Sequence, residues 1–282
     1  METTRKINPL LVLLISSVTA VILTILVAYA AGARYETLDN GAKFLGKSEN
    51  GQPVSGTIKY SSKLEGELDY YAKTITYSNG DIYVGDIEGG CRHGYGKMSF
   101  YATGDVYEGY FSVDEIHGNG VYKYANGDVF TGTFTDSVKQ GYGTFVYANG
   151  NSYEGYYEND LRQGEGTFTW ASGAKYVGTF NNNLKDGYGV MTYANGDRYE
   201  GDFLNDKRHG DKCVYRWANG ERYNGAFRNN FMDTRLVDEN GNFIVNDKGE
   251  YVHGENATYT FTTGRTYRGF FVAGKAEGIT LG

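Results

Sequence analysis

The chain has 282 residues, among them 41 Gly, 27 Tyr, 15 Phe, 2 Pro and 2 Cys, with a net charge of −7. Two prolines exclude a polyproline tract or collagen, 16% aromatics exclude a disordered chain, and two cysteines exclude a disulfide framework. The acidic balance speaks against nucleic acid, whose phosphates need a surplus of Lys and Arg.

Residues 1–9 read as a short tail carrying Arg5 and Lys6. No charged side chain occurs from Ile7 to Ala33, and the 22 residues from Leu10 to Ala31 are almost continuously apolar. At about 1.5 Å per residue, a helix of that length crosses a hydrocarbon core of about 30 Å. Residues 10–33 are therefore expected to form a single transmembrane helix. The basic tail places the N-terminus in the cytoplasm and the rest of the chain outside it. The competing reading is a cleaved signal peptide with Ala28-Tyr29-Ala30 as the cleavage site. Both place residues 34–282 across the membrane, and the retained helix makes the lipid bilayer a partner.

The remainder is built from a repeat. A small residue followed by Gly recurs at Gly80, Gly104, Gly127, Gly150, Gly173, Gly196, Gly220 and Gly264, with spacings of 24, 23, 23, 23, 23, 24 and 44. Three residues after each mark stands an aromatic: Tyr83, Tyr107, Phe130, Tyr153, Tyr176, Tyr199, Tyr223 and Tyr267. Five after is Gly: Gly85, Gly109, Gly132, Gly155, Gly178, Gly201, Gly225 and Gly269. Seven after is apolar, as in Phe134, Tyr157 and Phe180. A second aromatic precedes each mark, twice as Trp, at Trp170 and Trp217. Residues 34–74 read as degenerate capping repeats, because an end unit has a single neighbour. Residues 75–228 are the regular array. Residues 229–252 are either an insertion or a degenerate repeat, and residues 253–282 are a last repeat and cap.

Offsets of three, five and seven share parity, so they face one side of a strand. The residues between them, such as Glu108, Thr131 and Glu154, are polar or small, which marks strands with one wet face. Asn-Gly supplies the positive φ of a hairpin turn. The expected fold is all-β: an elongated, single-layer antiparallel sheet of stacked β-hairpins of about 23 residues, preceded by the transmembrane helix. The Gly inside each strand is expected to leave room for a neighbouring unit's aromatic. Gly141-Tyr142-Gly143 and its equivalents are expected to end a loop and open the next hairpin.

Tyr-Glu-Gly-Tyr-Phe at 107–111, Tyr-Glu-Gly-Asp-Phe at 199–203, His-Gly-Asn-Gly at 117–120 and Tyr-Ala-Asn-Gly-Asp at 124–128 resemble the MORN repeat, the membrane occupation and recognition nexus motif. The resemblance covers residues 75–228 cleanly, and 36–282 with the worn copies. It implies a curved single-layer sheet that serves as an interaction platform. Members with a separate kinase or methyltransferase domain exist, and the stretches outside the repeats are too short for one.

No catalytic, metal or cofactor site is read from the residues. His93, His117, His209 and His253 are about one repeat or more apart and read as turn residues. Cys91 and Cys213 read as free thiols. Asp105, Asp128 and Asp197 read as turn formers. Residues 34–282 carry 25 basic and 33 acidic residues, a net of −8. No basic stripe is read at a fixed offset, so phospholipid headgroup binding by the repeats is not expected. The ladder Tyr83, Tyr107, Phe130, Tyr153, Tyr176, Tyr199, Tyr223 and Tyr267, with Trp170 and Trp217, reads first as packing. Where a face stays open, it reads as contact surface for a protein or for a second copy of the chain. The reading is a membrane-anchored, non-enzymatic scaffold for protein partners. A cell-surface glycan-binding module is the alternative, although such modules favour Trp in their stacking positions.

Overall fold

A computed structural model describes residues 19–24, 27, 29 and 32–277. The chain divides into two compact units, residues 1–118 and 119–282. In the first, eight described strands from Ala33–Thr37 to Val106–Ser112 each pair antiparallel with the next in chain order. In the second, the strands from Val129–Thr135 to Arg222–Arg228 follow the same antiparallel order. Arg222–Arg228 then pairs with Ala257–Thr260, and that strand with Thr266–Gly269. Residues 233–256 leave the ladder between them. The antiparallel all-β reading is what the structure shows.

Ser152–Glu158 illustrates why these segments are strands. Tyr153, Gly155 and Tyr157 are buried while Glu154, Tyr156 and Glu158 face out, the period-two alternation of a half-buried strand. Two kinds of turn join such strands. At the Asn-Gly marks the glycine is left-handed (Gly150, φ 85°). Its N–H reaches the Tyr147 carbonyl at 2.9 Å, and the Tyr147 N–H reaches Asn151 at 2.9 Å. The other turns are two adjacent left-handed residues, such as Asn159 (φ 49°) and Asp160 (φ 67°), as a type I′ turn requires.

The second kind overturns the expected loop. Gly141, Tyr142 and Gly143 lie inside Val138–Val146, and the turn sits at Asp136-Ser137. Asn and Asp tolerate the left-handed region, so these turns need no Gly to announce them. The histidines shift with them. His93 and His117 lie within strands and His253 forms a bridge to Arg235, while His209 follows Lys207–Arg208.

The transmembrane helix does not stand. Among the described residues no helix is long and apolar enough to cross a membrane. The continuous described helix covers residues 19–24, about 9 Å at 1.5 Å per residue, against the roughly 20 residues that a span needs. The rest of the expected span, and most of the proposed cleavage site, lie outside the described residues. The single-pass localisation, its sidedness and the bilayer contact rested on that helix and are withdrawn with it.

Candidate functional site

The aromatic ladder is the core of each unit. Tyr83, Tyr107, Phe130, Tyr153, Tyr176, Tyr199 and Tyr223 are fully buried, and Tyr267 near the end of the sheet is half-buried. Each ring lies over its own strand's glycine, not over a neighbouring unit's as expected. Tyr153 covers Gly155 and the cross-strand Gly166, where a Cβ would stand 2.5 Å from the tyrosine hydroxyl. Tyr83 covers Gly85 and Gly96, Phe130 covers Gly132 and Gly143, and Tyr176 covers Gly178 and Gly189. Gly109 pairs with Gly96. Gly201 faces Tyr199 and Cys213, Gly225 faces Tyr223 and Ala257, and Gly269 faces Tyr267.

The ladder register slips just after these glycines, between Gly155 and Tyr157 and at equivalent places. Such a bulge removes a carbonyl from regular pairing, and the tyrosine hydroxyl serves it. Tyr153 Oη donates to the Tyr156 carbonyl at 3.1 Å, Tyr176 to Thr179 at 2.9 Å and Tyr199 to Asp202 at 2.7 Å. Burial pushes the Tyr153 phenol up to about 12, which keeps it a donor.

The rings at offset seven lock successive repeats together edge to face. Phe180 stands 5.1 Å from Tyr153 and 5.2 Å from Tyr176, with interplanar angles of 87° and 90°. Phe203 does the same between Tyr176 and Tyr199. Such pairs contribute about 0.5–1.5 kcal/mol each beyond their burial.

A cation completes five of the eight repeats, and the sequence reading missed it. Twelve residues after the mark stand Lys139, Arg162, Lys185 and Arg208 in the second unit and Arg92 in the first. This is a basic stripe at a fixed offset after all, but its charges are turned onto rings. The Arg162 guanidinium lies 5.6, 5.3 and 5.4 Å from the centres of Tyr153, Phe168 and Phe180. The backbone N–H of each cation donates to the type I′ turn of the following repeat: Lys139 to Asp160 at 3.0 Å, Arg162 to Asn183 at 2.9 Å, Lys185 to Asp206 at 3.0 Å, Arg208 to Asn230 at 2.8 Å. In the second unit Lys therefore faces Asp and Arg faces Asn in alternate repeats, whereas in the first unit Arg92 faces Asp114. Asp128 and Asp197 also do more than form turns, since their carboxylates accept the N–H of Ala148 and Ala218 in the next repeat.

Beside the buried ladder, on the same face of the second unit, runs a row that stays partly open. Phe145 contacts Tyr147 at 4.4 Å, Tyr147 contacts Phe168 at 6.0 Å and Phe168 contacts Trp170 at 4.6 Å. Further along, Tyr215, Trp217, Tyr259 and Phe261 follow at 4.6, 5.3 and 5.0 Å. All but Tyr215 are half-buried. Trp170 and Trp217 thus belong to this open row rather than to the buried ladder. The row leads to a concavity of about 500 Å³ lined by Met232, Tyr259, Phe261, Tyr267, Phe271 and Lys275.

The segment outside the ladder is pinned by a buried ion pair. Asp233 is 2% exposed and accepts from Arg235 Nη2 at 2.6 Å and Nε at 2.9 Å. The Arg235 guanidinium lies 3.5 Å from the Phe243 ring centre and 4.6 Å from that of Tyr251. Burial disfavours the Asp233 carboxylate, but Arg235 and backbone donors outweigh it and hold its pKa below the usual value. A lowered folded pKa stabilises above the ordinary Asp value of about 3.9 and loses that contribution as pH falls through the folded value. Amide exchange in residues 234–237 therefore accelerates below about pH 4, and in D233N it is fast at neutral pH. Exchange independent of pH after correction for intrinsic rates would refute this.

Cys91 and Cys213 are free and 2% exposed. Burial pushes the Cys91 thiol up to about 11 and raises Cys213 as well. Both resist alkylation in the folded protein, since the thiolate is the reactive form, and both react on unfolding. Timed reaction with a chromogenic disulfide with and without denaturant checks this; immediate labelling of the native protein contradicts it. Among the described residues no group of three or more His, Cys, Asp or Glu could hold a metal ion.

The model of the MORN repeat matches six segments, residues 83–102, 107–129, 130–152, 153–175, 176–198 and 199–222. Six segments of the chain thus match the MORN repeat. No curated protein sequence matches the chain. Among solved structures, the SAS-4 (dCPAP) TCP domain of Drosophila melanogaster in complex with a proline-rich motif of Ana2 is 17% identical, covers 59% of this chain and 86% of its own, and has a TM-score of 0.31. The TCP10 domain of Danio rerio CPAP in complex with a STIL peptide is 12% identical, covers 79% and 99%, and has a TM-score of 0.35. A streptogramin B lyase is 12% identical, covers 86% and 83%, and has a TM-score of 0.16. Scores this low carry nothing over to this chain.

Proposed function

We propose that this chain, with its repeats of the MORN type, is a non-enzymatic scaffold that binds a protein partner along the open aromatic row of its second unit. The observation that carries this reading is the half-buried run through Tyr147, Phe168, Trp170, Trp217 and Phe261. The ladder beside it is spent on packing, while this row keeps ring surface available. Tyr, Trp and Phe offer large, rigid contact area at low entropic cost, which is why they dominate binding hot spots.

A photo-crosslinking residue placed at Trp170 or Trp217 in the full chain tests the reading. The expected product is one protein adduct, absent when the same residue replaces exposed Glu239. If the adduct is a second copy of the chain, the row is a homodimer seam. Adducts with polysaccharide, or identical adducts from Glu239, overturn the proposal.

A further inference from the structure

The face opposite the ladder carries a second pattern. In the second unit, Tyr142 and Tyr156 are directly cross-strand, with ring centres 5.3 Å apart and planes at 80°. Each is 51% exposed. Tyr142 Oη donates to Glu154 Oε1 at 2.9 Å, which holds the carboxylate beside the two rings. The first unit contains the same arrangement: Tyr95 and Tyr110 at 5.5 Å and 82°, with Tyr95 Oη on Glu108 Oε1 at 3.1 Å. Among the described residues neither Glu108 nor Glu154 has an ion-pair partner.

A third copy shows what such a site holds. Tyr188 Oη donates to Glu200 Oε1 at 3.0 Å, and the chain's own Arg198 places its guanidinium on the other oxygen of that carboxylate. The residues equivalent to Arg198, two before each glutamate, are Val106 and Ser152. Both copies therefore keep the carboxylate and gain a second ring without an arginine two residues before it; Glu154 has only Thr144 and Thr167 across from it, while Glu108 stands across from Lys97 with no ion pair between them among the described residues.

We propose that Tyr142–Tyr156–Glu154 and Tyr95–Tyr110–Glu108 are each docking points for an Arg or Lys side chain of a basic partner segment. An exposed ring face attracts a cation and a fixed carboxylate pairs with it. The charge complementarity is the one that Arg198 satisfies internally in the third copy. In the second unit the Tyr142–Tyr156–Glu154 cluster lies on the face opposite the aromatic row, and the proposal stands whatever occupies that row.

The test uses the full chain and a fluorescent nine-residue peptide with three arginines spaced by Gly and Ser. Its affinity is read by anisotropy at low and high salt. E154Q weakens binding about threefold, and E154Q combined with E108Q about tenfold. Y142F, which keeps the ring but releases the carboxylate, falls between wild type and E154Q. The exposed control E239Q leaves binding unchanged, and thermal unfolding of all variants matches the wild type. The proposal is overturned if E239Q weakens binding as much as E154Q, which would mean attraction to net charge alone. Equal binding by wild type and the double variant overturns it too. Loss of crosslinking at Trp170 with normal peptide binding would count against the aromatic row only.

Discussion

Tyr176→Ala lowers stability by about 3–5 kcal/mol, the usual cost of emptying a fully buried aromatic site. Three losses coincide. The ring is wholly buried, and it sits edge to face between Phe180 and Phe203 at 5.2 and 5.1 Å. Its hydroxyl also serves the bulged Thr179 carbonyl. Tyr176→Phe keeps the first two and costs about 1 kcal/mol, the net value of one hydrogen bond. Urea unfolding monitored by circular dichroism separates the two variants. Equal losses would mean that the hydroxyl, not the ring, holds the unit together; no loss for alanine would mean that the ladder does not support the fold. Phe130 occupies the same position without a hydroxyl, so the ladder tolerates the phenyl ring.

Gly178→Ala is the second large effect, at about 2–3 kcal/mol, as expected for overpacking against parts that cannot yield. The new Cβ would stand 2.5 Å from the Gly189 Cα and 2.6 Å from the Tyr188 carbonyl oxygen, and both atoms are backbone. Gly173→Ala, at a turn with φ +87° and nothing within 4 Å, costs only the left-handed strain of about 1–2 kcal/mol. Amide exchange distinguishes them: Gly178→Ala opens the pairing between Lys175–Asn181 and Leu184–Thr192, while Gly173→Ala leaves it closed. If the turn variant proves the costlier, the close ring-over-glycine packing is not what the strand glycines are for.

The repeat, its parity and its antiparallel sheet were legible because the ring at offset three and the glycine at offset five recur without exception. Two things were not. The type I′ turns from Asp136-Ser137 to Asn229-Asn230 carry no Gly, so pairs such as Asn182-Asn183 read as polar spacers, and the glycines nearby read as the loop. The cation at offset twelve alternates between Lys and Arg in the second unit and gives way to Ile116, Met232 and Ala276 in three copies. A search for one residue type therefore passes over it, whereas a search by charge finds it. Trp170 and Trp217 read with the ladder because both rows are aromatic; their place before the mark rather than after it, and their partial exposure, set them apart. At the N-terminus, apolar composition suggested a span that the described helix does not form.

Within the second unit, the alternation of Lys facing Asp with Arg facing Asn means that the unit of inheritance is two repeats rather than one. Excising residues 151–196 would bring Lys139 against Asp206 and leave Arg208 facing Asn230, so every hand-over from one repeat to the next stays chemically matched. Excising residues 151–173 would instead set Lys139 against Asn183 and strand its ammonium without a carboxylate. Length variants of such a gene are thus expected to gain or lose repeats in pairs.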